Sequence, residues 1–329
     1  MKLAVLGAGA WGTAISISLA GRHTVALWAR DGQQAGEIAA MRVNPRYLPG
    51  FTLPGSVAVT AELAVALEAC ELVLAATTTA GLRPTLRRLA AAGNTAPVVW
   101  LCKGFETESA QLPHQIAAGE LPPMLPRGVL SGPSFAAEIA RGLPAALTLA
   151  SLDPAFASRV AHELHGRALR IYSSDDVTGV EVAGAVKNVM AIAAGISDGL
   201  GLGNNARAAL ITRGLAEITR LGLKLGGRLE TFMGLAGAGD LILTCTSDLS
   251  RNRNVGLRLA RGVSLPEALR SLGHVAEGVY TARAADRLAR ELDVDLPITR
   301  AVCRVMDENV PAHEAVQELL QRDPKPEHR

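Results

Sequence analysis

The feature that most constrains the fold is a glycine-rich turn near the start of the chain. Residues 2–6 predict a short buried strand, Gly7-Ala8-Gly9-Ala10-Trp11-Gly12 follows at once, and an apolar helix extends to about Ala20. Glycines at this GxGxxG spacing permit a tight turn, close approach of a pyrophosphate and close packing of helix on strand. Between a strand and a helix, the spacing predicts a dinucleotide-binding βαβ unit, and a glycine turn without a ligand is the weaker alternative.

The end of the second predicted strand, residues 24–29, bears on the choice of cofactor. Arg30 follows this strand at the position where a residue contacts the adenosine ribose, and Asp31 comes next. An arginine there accommodates a 2′-phosphate, whereas an acid holds the ribose hydroxyls of NAD. We therefore predict NADP(H) as the preferred cofactor with NAD(H) possible; the alternative is that Arg30 is an ordinary exposed loop charge.

Strands and helical patterns then alternate along the chain. Further strands are predicted near residues 56–59, 71–76, 97–102, 128–131, 145–150 and 168–172, and residues 44–50 form a predicted connecting loop. Such alternation predicts a parallel, doubly wound sheet, whose ligands bind beyond the carboxyl ends of the strands. Three of these ends carry polar groups: Thr77-Thr78-Thr79, Lys103 and Ser131-Gly132-Pro133-Ser134.

After Asp176, a predicted helix N-cap, the pattern becomes helical apart from glycine-rich connections. This change predicts two domains: an NAD(P)-binding domain over residues 1–178 and a helical substrate and catalytic domain over residues 179–329. The predicted fold class is an α/β Rossmann-type doubly wound sheet followed by an all-α domain.

The first helix of the second domain, residues 181–195, is apolar on nearly every face but carries Lys187 and Asn188. A buried lysine either pairs with a carboxylate as a structural element or has a depressed pKa and transfers protons. Of the 33 basic residues only five are lysines, so a lysine in an apolar setting is required as lysine rather than as a generic charge. By itself this helix favours the structural role.

Two polar clusters follow in the helical part. A glycine-rich turn ends at Asp240, and Ser250-Arg251-Asn252 forms a group of hydrogen-bond donors. Arginine with hydroxyl and amide donors matches phosphate oxygens, so this group is interpreted as a phosphate clamp, with a solvated turn as the alternative.

Composition excludes several classes of protein. A net charge of +2 and few aromatic residues argue against nucleic-acid binding. No segment has the uninterrupted apolar length of a membrane span. The four cysteines lack metal-ligand spacing, so we predict reduced thiols, no metal site and a cytoplasmic protein.

Taken together, these motifs resemble those of the bacterial NAD(P)-dependent glycerol-3-phosphate dehydrogenase family. The matching segments are residues 7–14, 44–50, 103–106, 132–138, 179–217, 231–256 and 275–279, with the sequences GAGAWGTA, NPRYLPG, KGFE, GPSFAAE, GVEVAGAVKNVMAIAAGISDGLGLGNNARAALITRGLAE, TFMGLAGAGDLILTCTSDLSRNRNVG and VAEGV. The chain departs from the family at Thr77-Thr78-Thr79, where a proline is usual, and at Ala10, where many relatives have serine.

The resemblance implies reversible hydride transfer between NAD(P)H and dihydroxyacetone phosphate, giving sn-glycerol 3-phosphate for glycerophospholipid synthesis. It also implies a helical domain like that of 6-phosphogluconate dehydrogenase. The implied catalytic residues are Lys187 as general acid/base, Asp240 and Lys103. The implied cofactor contacts are Gly7, Gly9, Ala10, Trp11, Gly12, Arg30, Lys103, Ala136, Arg251, Val275 and Glu277. The implied substrate contacts are Lys103, Gly132, Ser134, Lys187, Asp240, Ser250, Arg251 and Asn252.

Two alternatives stay open at this stage. One is a related dehydrogenase of the 6-phosphogluconate or 3-hydroxyacid type, against which the Ser250-Arg251-Asn252 group and the turn at Lys103 argue. The other is a non-catalytic NAD(P)-sensing protein, which would need none of Lys103, Lys187 and Asp240. The apolar helical domain makes a homodimer plausible.

Overall fold

The computed structural model describes residues 1–272 and 276–323, and its two parts differ in secondary structure. Strands and helices alternate as far as Ser174, and from Val177 onward the described residues form helices and their connections. The predicted fold class, a parallel Rossmann-type sheet followed by a mostly helical domain, is confirmed. The boundary near residue 178 stays a prediction.

Ten strands build the first part. They are β1 (Lys2–Leu6), β2 (Thr24–Trp28), β3 (Val43–Asn44), β4 (Leu48–Thr52), β5 (Val57–Thr60), β6 (Leu72–Ala75), β7 (Val98–Trp100), β8 (Arg127–Ser131), β9 (Ala145–Ala150) and β10 (Leu169–Ser174). Eight of them form one sheet in the order β10-β9-β8-β7-β6-β1-β2-β5, in which only the β8–β9 pair is antiparallel. The central strands β1, β6 and β7 consist mostly of buried Leu, Val and Ala, with buried Trp100 at the end of β7, because helices cover both faces.

Seven helices connect these strands: α1 (Ala10–Leu19), α2 (Gly32–Met41), α3 (Leu63–Leu67), α4 (Thr79–Ala91), α5 (Pro113–Glu120), α6 (Ala136–Ala140) and α7 (Pro154–Leu164). From β1 the chain proceeds outward through β2 to β5 and then returns to β6 on the other side of β1. The strand order therefore reverses between β1 and β6. A crevice for a dinucleotide opens beyond the carboxyl ends of these two strands.

The segment predicted as a loop at residues 44–50 contains a small hairpin instead. Strand β3 pairs antiparallel with β4, and buried Asn44 is the last residue of β3. The Asn44 amide donates to the Ala8 carbonyl oxygen at 2.9 Å and to Thr13 Oγ1 at 2.8 Å. The prolines of this segment indicate a loop. The tertiary hydrogen bonds that fix the hairpin on the glycine turn could not be inferred from the sequence.

The second part is built from nine described α-helices. They are α8 (Val177–Gly199), α9 (Gly203–Lys224), α10 (Leu229–Met233), α11 (Asp240–Thr246), α12 (Arg251–Ala260), α13 (Leu265–Leu272), α14 (Glu277–Glu291), α15 (Pro297–Asp307) and α16 (Ala312–Leu320), with a π-helical turn over Leu235–Gly239 between α10 and α11. Helix α8 is the core: 20 of its 23 residues are buried. Among the described residues it is the one helix long and apolar enough to cross a bilayer, and its apolar stretch is wholly covered by the protein.

Glycines let α12 pack directly on α8. A Cβ on Gly195 would lie 2.0 Å from the Arg253 carbonyl oxygen, and one on Gly256 would lie 2.0 Å from the Ile192 carbonyl oxygen. Any side chain at either position would therefore force the helices apart. This close crossing holds the start of α12, with its polar cluster, beside the middle of α8.

Helix α8 is also fixed to the sheet domain. Within the helical part, its predicted N-cap, Asp176, accepts from the Gly179 N–H at 2.8 Å and from the Arg228 N–H before α10 at 2.9 Å. One turn further on, buried Glu181 accepts from Trp100 Nε1 on β7 at 2.7 Å and pairs with His114 Nδ1 on α5 at 2.6 Å. The helix therefore has a fixed direction and a fixed rotation relative to the strand ends.

A buried carboxyl group in the helical domain predicts pH-dependent stability. Glu217 on α9 is 1% exposed and accepts from the N–H groups of Ile298 at 2.6 Å and Thr299 at 3.1 Å, at the start of α15. Burial raises the pKa of Glu217 to about 7, against the opposing effect of these hydrogen bonds. A carboxyl whose pKa is higher in the folded state stabilises that state most below its unfolded pKa, and this stabilisation is lost as pH rises toward 7.

We therefore expect Glu217 to lower the free energy of unfolding by about 2–3 kcal/mol between pH 4.5 and 7.5. Glu217→Gln should be less stable than the native chain at pH 5, because glutamine has one acceptor oxygen for two backbone donors. Its stability should also vary less across this pH range. Urea unfolding at pH 5, 6 and 7.5 measures the free energy of unfolding of the native chain and of the variant. An equal dependence of this free energy on pH in the two proteins would contradict the expectation.

Candidate active site

The centre of the site is a carboxylate held between two lysines. Lys187 Nζ donates to Asp240 Oδ1 at 2.5 Å, and Lys103 Nζ donates to Asp240 Oδ2 at 2.7 Å. Lys187 is 6% exposed and Asp240 is 2% exposed. The structure thus brings together the three residues predicted to be catalytic, and their roles stay predictions.

Each of the three comes from a different part of the fold. Lys103 lies just beyond the carboxyl end of β7, and Lys187 lies in the middle of α8. Asp240 is the first residue of α11 and directly follows the π-helical turn, which had been predicted only as a glycine-rich turn. A Cβ on Gly237 would lie 2.0 Å from the Phe232 carbonyl oxygen, so the turn can wind this tightly only with glycine there. Small residues in this turn therefore let the Asp240 carboxylate face α8.

The surroundings of Lys187 favour proton transfer. The pKa of Lys187 is lowered to about 8: burial is the largest cause, Asp240 opposes it, and the positive charge of Lys103 adds to the lowering. Burial also favours the neutral acid of Asp240, yet the two ammonium groups hold its pKa below the usual value. The arrangement is therefore an ionised aspartate beside an ammonium group that can lose its proton near neutral pH. Burial is the main cause of the shift, and Asp240 and Lys103 act on it with opposite signs.

Sequence reasoning did not identify Thr244. Its hydroxyl accepts from Lys187 Nζ at 2.8 Å and donates to the Asp240 carbonyl oxygen at 2.6 Å, one turn back in α11. The sequence feature that could have identified Thr244 is its spacing of four residues from Asp240, because residues four apart share one face of a helix. With Asp240 already identified, Thr244 could have been predicted to face the same lysine.

The three residues of the predicted phosphate clamp differ in exposure: two are buried and one is exposed. Ser250 is the N-cap of α12 and accepts from the Arg253 N–H at 3.2 Å. The Asn252 amide donates to Asn188 Oδ1 at 2.9 Å, and its oxygen accepts from the Gly278 N–H at 3.0 Å. Ser250 and Asn252 are therefore buried and orient α8, α12 and α14. Arg251 is the exposed member of the cluster.

The glycine turn is shaped to receive a ligand. Gly7 has a φ of +121°, and a Cβ there would lie 2.5 Å from the Ala76 carbonyl oxygen. A Cβ on Gly12 would lie 1.9 Å from the Gly7 carbonyl oxygen, so these two glycines are required by the protein itself. A Cβ on Gly9 would meet no protein atom within 4 Å. The space above Gly9 is therefore open at the position where the motif places a pyrophosphate.

A hydrogen-bonded chain links this turn to the lysines. Trp11 Nε1 donates to the Ser134 carbonyl oxygen at 3.0 Å, and Ser134 Oγ donates to the Gly132 carbonyl oxygen at 3.0 Å. Lys103 Nζ donates to the same Gly132 oxygen at 2.9 Å. The cofactor turn and the predicted substrate loop are therefore parts of one network.

The other predicted contacts lie around the same crevice or outside the described residues. Arg30 is exposed just beyond β2, while Ala10, Ala136 and Glu277 are the first residues of α1, α6 and α14. Glu277 Oε1 accepts from the Thr79 N–H at 3.3 Å. Burial raises the pKa of Glu277, and this hydrogen bond and the charge of Arg251 oppose the rise. Val275 lies outside the described residues.

The departure at residues 77–79 leaves the local fold intact. Thr78 is the N-cap of α4, and its hydroxyl accepts from the Gly81 N–H at 3.2 Å. A threonine cap satisfies one of the free N–H groups at a helix start, and so it can begin the helix without the fixed φ of a proline.

A doubly wound sheet with a GxGxxG turn, facing a helical domain that supplies a buried lysine, defines a two-domain nicotinamide-nucleotide dehydrogenase. The sequence pattern described as NAD-dependent glycerol-3-phosphate dehydrogenase N-terminus matches residues 2–157, and the pattern of the corresponding C-terminus matches residues 176–317. The chain belongs to the NAD-dependent glycerol-3-phosphate dehydrogenase family.

Individual relatives agree along the whole chain. A glycerol-3-phosphate dehydrogenase [NAD(P)+] of Nitrosospira multiformis is 60% identical, covering 99% of each chain, and one of Dechloromonas aromatica is 58% identical with the same coverage. The crystal structure of glycerol-3-phosphate dehydrogenase from Coxiella burnetii is 42% identical, covers 97% of this chain and 98% of its own, and superposes with a TM-score of 0.93. The resemblance stated from the motifs is therefore confirmed.

Proposed function

We propose that this chain catalyses the reversible transfer of a hydride between NAD(P)H and dihydroxyacetone phosphate, giving the sn-glycerol 3-phosphate that glycerophospholipid synthesis consumes. The observation that carries the proposal is the Lys187–Asp240–Lys103 cluster, which lies where strand ends of the parallel sheet meet α8. Reduction of a ketone leaves an alkoxide that needs a proton and a nearby positive charge, and this cluster offers both.

The crevice fits a nicotinamide dinucleotide. The open space over Gly9, at the position where the motif places a pyrophosphate, is a feature that a bound ligand would complete. The glycine turn, Trp11 and Arg30 would hold the cofactor on one side, and Lys103, Ala136 and Glu277 on the other. When bound, the reduced cofactor supplies the hydride.

The chain's own groups carry the rest of the reaction. The Lys187 ammonium donates its proton to the oxygen that becomes the hydroxyl, and Asp240 with Thr244 holds the lysine in place. Lys103 and the Gly132–Ser134 loop orient the substrate. Arg251, supported by Ser250 and Asn252, binds the phosphate. Because the phosphate is remote from the reacting carbon, its binding energy orients the carbonyl in the cleft.

Initial rates test the proposal against both alternatives. The purified chain should reduce dihydroxyacetone phosphate with NADPH and with NADH, and it should leave 6-phosphogluconate and simple 3-hydroxyacids unchanged in the oxidative direction. Turnover of only the latter would favour a related dehydrogenase. Tight cofactor binding without turnover of any of them would favour a sensing protein.

Arg30 is proposed to give a preference for NADPH. It is exposed just beyond β2, where an arginine can pair with the 2′-phosphate. We expect Arg30→Ser to raise the KM for NADPH by about tenfold, the scale of a lost charge-assisted hydrogen bond of about 1.5 kcal/mol, and to change the KM for NADH little. Steady-state kinetics with both cofactors measure this. An equal change for both would show that Arg30 does not read the 2′-phosphate.

Assembly and location are part of the same proposal. Large apolar side chains are more than 45% exposed on and around α9 to α11, at Leu223, Leu229, Met233, Ile242 and Leu249. Such exposure supports a homodimer formed through the helical domain, which light scattering on the eluted protein would measure. The four cysteines are free thiols, which suits the reducing cytoplasm.

A further inference from the structure

An arginine on α4 binds the segment that follows Lys103. Arg83 Nε donates to Glu106 Oε1 at 2.7 Å, and a terminal nitrogen of the same guanidinium donates to Glu106 Oε2 at 2.7 Å. Two parallel hydrogen bonds of this kind fix the orientation of the carboxylate as well as its distance. The side chains are 24% and 16% exposed, so water screens this ion pair less than it would a pair on the open surface.

The same guanidinium also binds the far end of the loop. Arg83 donates to Gln111 Oε1 at 2.7 Å and to Oε1 of Glu120, the last residue of α5, at 2.6 Å. The backbone of the loop closes between its ends, because the Glu106 N–H donates to the Gln111 carbonyl oxygen at 2.9 Å. The loop that links Lys103 to α5 is therefore compact, and one arginine holds both of its ends against α4.

The two residues between Lys103 and Glu106 have little room to move. Gly104 has a φ of +150°, and a Cβ there would lie 3.1 Å from Thr79 Oγ1 and 3.2 Å from Thr281 Oγ1. Phe105 is 2% exposed and belongs to the hydrophobic core that surrounds α8. The turn at Lys103 is therefore fixed from both sides: Phe105 holds it to the helical domain, and Glu106 holds it to the sheet domain.

We propose that Arg83 and Glu106 are positioning residues, which hold the Lys103 ammonium against Asp240 in the orientation that the reaction needs. The inference rests on the proposed dehydrogenase function. Arg83 acts through Glu106 and the short turn before it. Lys103 in turn donates to Asp240 Oδ2 and to the Gly132 carbonyl oxygen, so its position bears on the aspartate and on the proposed substrate loop together.

Loss of this support has a directional effect on catalysis. The positive charge of Lys103 lowers the pKa of Lys187, so a Lys103 ammonium that is no longer held beside Asp240 should lower it less. The alkaline limb of kcat/KM for dihydroxyacetone phosphate should then move to higher pH. The Arg83–Glu106 pair itself does not titrate in this range, because the hydrogen bonds from Arg83 hold the pKa of Glu106 below its usual value.

Arg83→Met and Glu106→Met test the proposal because they change the charge in opposite directions. Through-space effects on Lys187 would move the limb up when the positive charge is lost and down when the negative charge is lost. Loss of positioning moves it up in both variants. We expect a rise of about half a pH unit in each. We also expect kcat/KM to fall about tenfold, because misplacing an orienting group is costly.

Two further variants serve as controls. Arg87 lies one turn after Arg83 on α4 and donates to Glu120 Oε2 at 3.0 Å, so Arg87→Met removes a charge and an ion pair from the same network and should leave rate and limb unchanged. Arg83→Lys keeps the charge but cannot bind the carboxylate through two nitrogens, and it should show smaller changes in the same direction as Arg83→Met. This milder variant also decides the question if Arg83→Met does not fold.

A second background sharpens the kinetic test. In Lys103→Met the ammonium that the pair positions is absent, so adding Arg83→Met should produce no further shift of the limb. The same shift in both backgrounds would overturn the proposal. So would an unmoved limb in both methionine variants, or limbs that move in opposite directions.

Hydrogen exchange followed by mass spectrometry gives a readout that needs no turnover. Amides of residues 103–112 should exchange faster in Arg83→Met and Glu106→Met than in the native chain, and at the native rate in Arg87→Met. Unchanged exchange in both methionine variants would overturn the proposal. Absence of dihydroxyacetone phosphate turnover by the native chain would instead refute the proposed function, and exchange alone would then show whether the Arg83–Glu106 pair holds the loop.

Discussion

Replacing Lys187 by alanine is expected to lower kcat by about a hundredfold or more, the usual contribution of a general acid. The side chain is buried in α8, and its ammonium pairs with Asp240 and Thr244. Within residues 1–272 and 276–323 no other ammonium group takes this position, because Lys103 binds the far oxygen of the same carboxylate. Loss of Lys187 therefore removes both the proton and the positive charge that its ammonium group supplies at this position.

The same variant should still fold and bind NADPH. Asp240 retains Lys103 as a partner, so the substitution does not leave a buried charge alone. The glycine turn and Arg30 belong to the other domain. Lys187→Met, which keeps the apolar stem, should lose activity to a similar degree, whereas Lys224→Ala, at the exposed end of α9, should not. A kcat near the native value in both Lys187 variants would reject this lysine as the proton donor.

Sequence periodicity and turn chemistry were sufficient to predict most of the fold. The glycine turn, the alternation of strands and helices, and the N-cap at Asp176 each follow from local rules, and they predicted the parallel sheet and the change to helices. A helix that is apolar on nearly every face must be central, so the burial of α8 was also predictable. The hairpin at β3–β4 was missed because its stability depends on Asn44 contacting a turn more than 30 residues away.

The site was only partly predictable for a similar reason. Lysine scarcity singled out Lys187 and Lys103, but no local rule places both on opposite oxygens of one aspartate. That geometry depends on the π-helical turn before Asp240 and on the close crossing of α8 and α12, which are properties of packing.

Changing the two charged neighbours of Lys187, Asp240 and Lys103, should move its pKa in opposite directions. Burial lowers the pKa of Lys187, Asp240 raises it and Lys103 lowers it, and the net value in the native protein is about 8. Asp240→Asn removes the attraction and keeps the repulsion and the burial, so the pKa should fall. Lys103→Met removes the repulsion and keeps Asp240, so the pKa should rise.

Ketone reduction needs the protonated lysine, so kcat/KM for dihydroxyacetone phosphate should fall as pH rises through this pKa. The alkaline limb should lie near pH 8 in the native chain. It should shift by about one unit to lower pH in Asp240→Asn, since one unit corresponds to 1.36 kcal/mol of interaction between neighbouring charges, and to higher pH in Lys103→Met. Both variants should also be less active at their optimum, because each loses an orienting contact.

Only shifts of the alkaline limb in opposite directions distinguish a cluster that transfers protons from a structural ion-pair cluster. A structural ion pair would lose stability in both variants, and any residual activity would keep one common pH dependence. Lys224→Met, which removes an exposed positive charge, controls for net charge and should leave the limb in place. Limbs that coincide in all four proteins, or that move the same way in both site variants, would mean that a group other than Lys187 supplies the proton. Limbs that separate in the expected order would identify the ammonium held by Asp240 as that group.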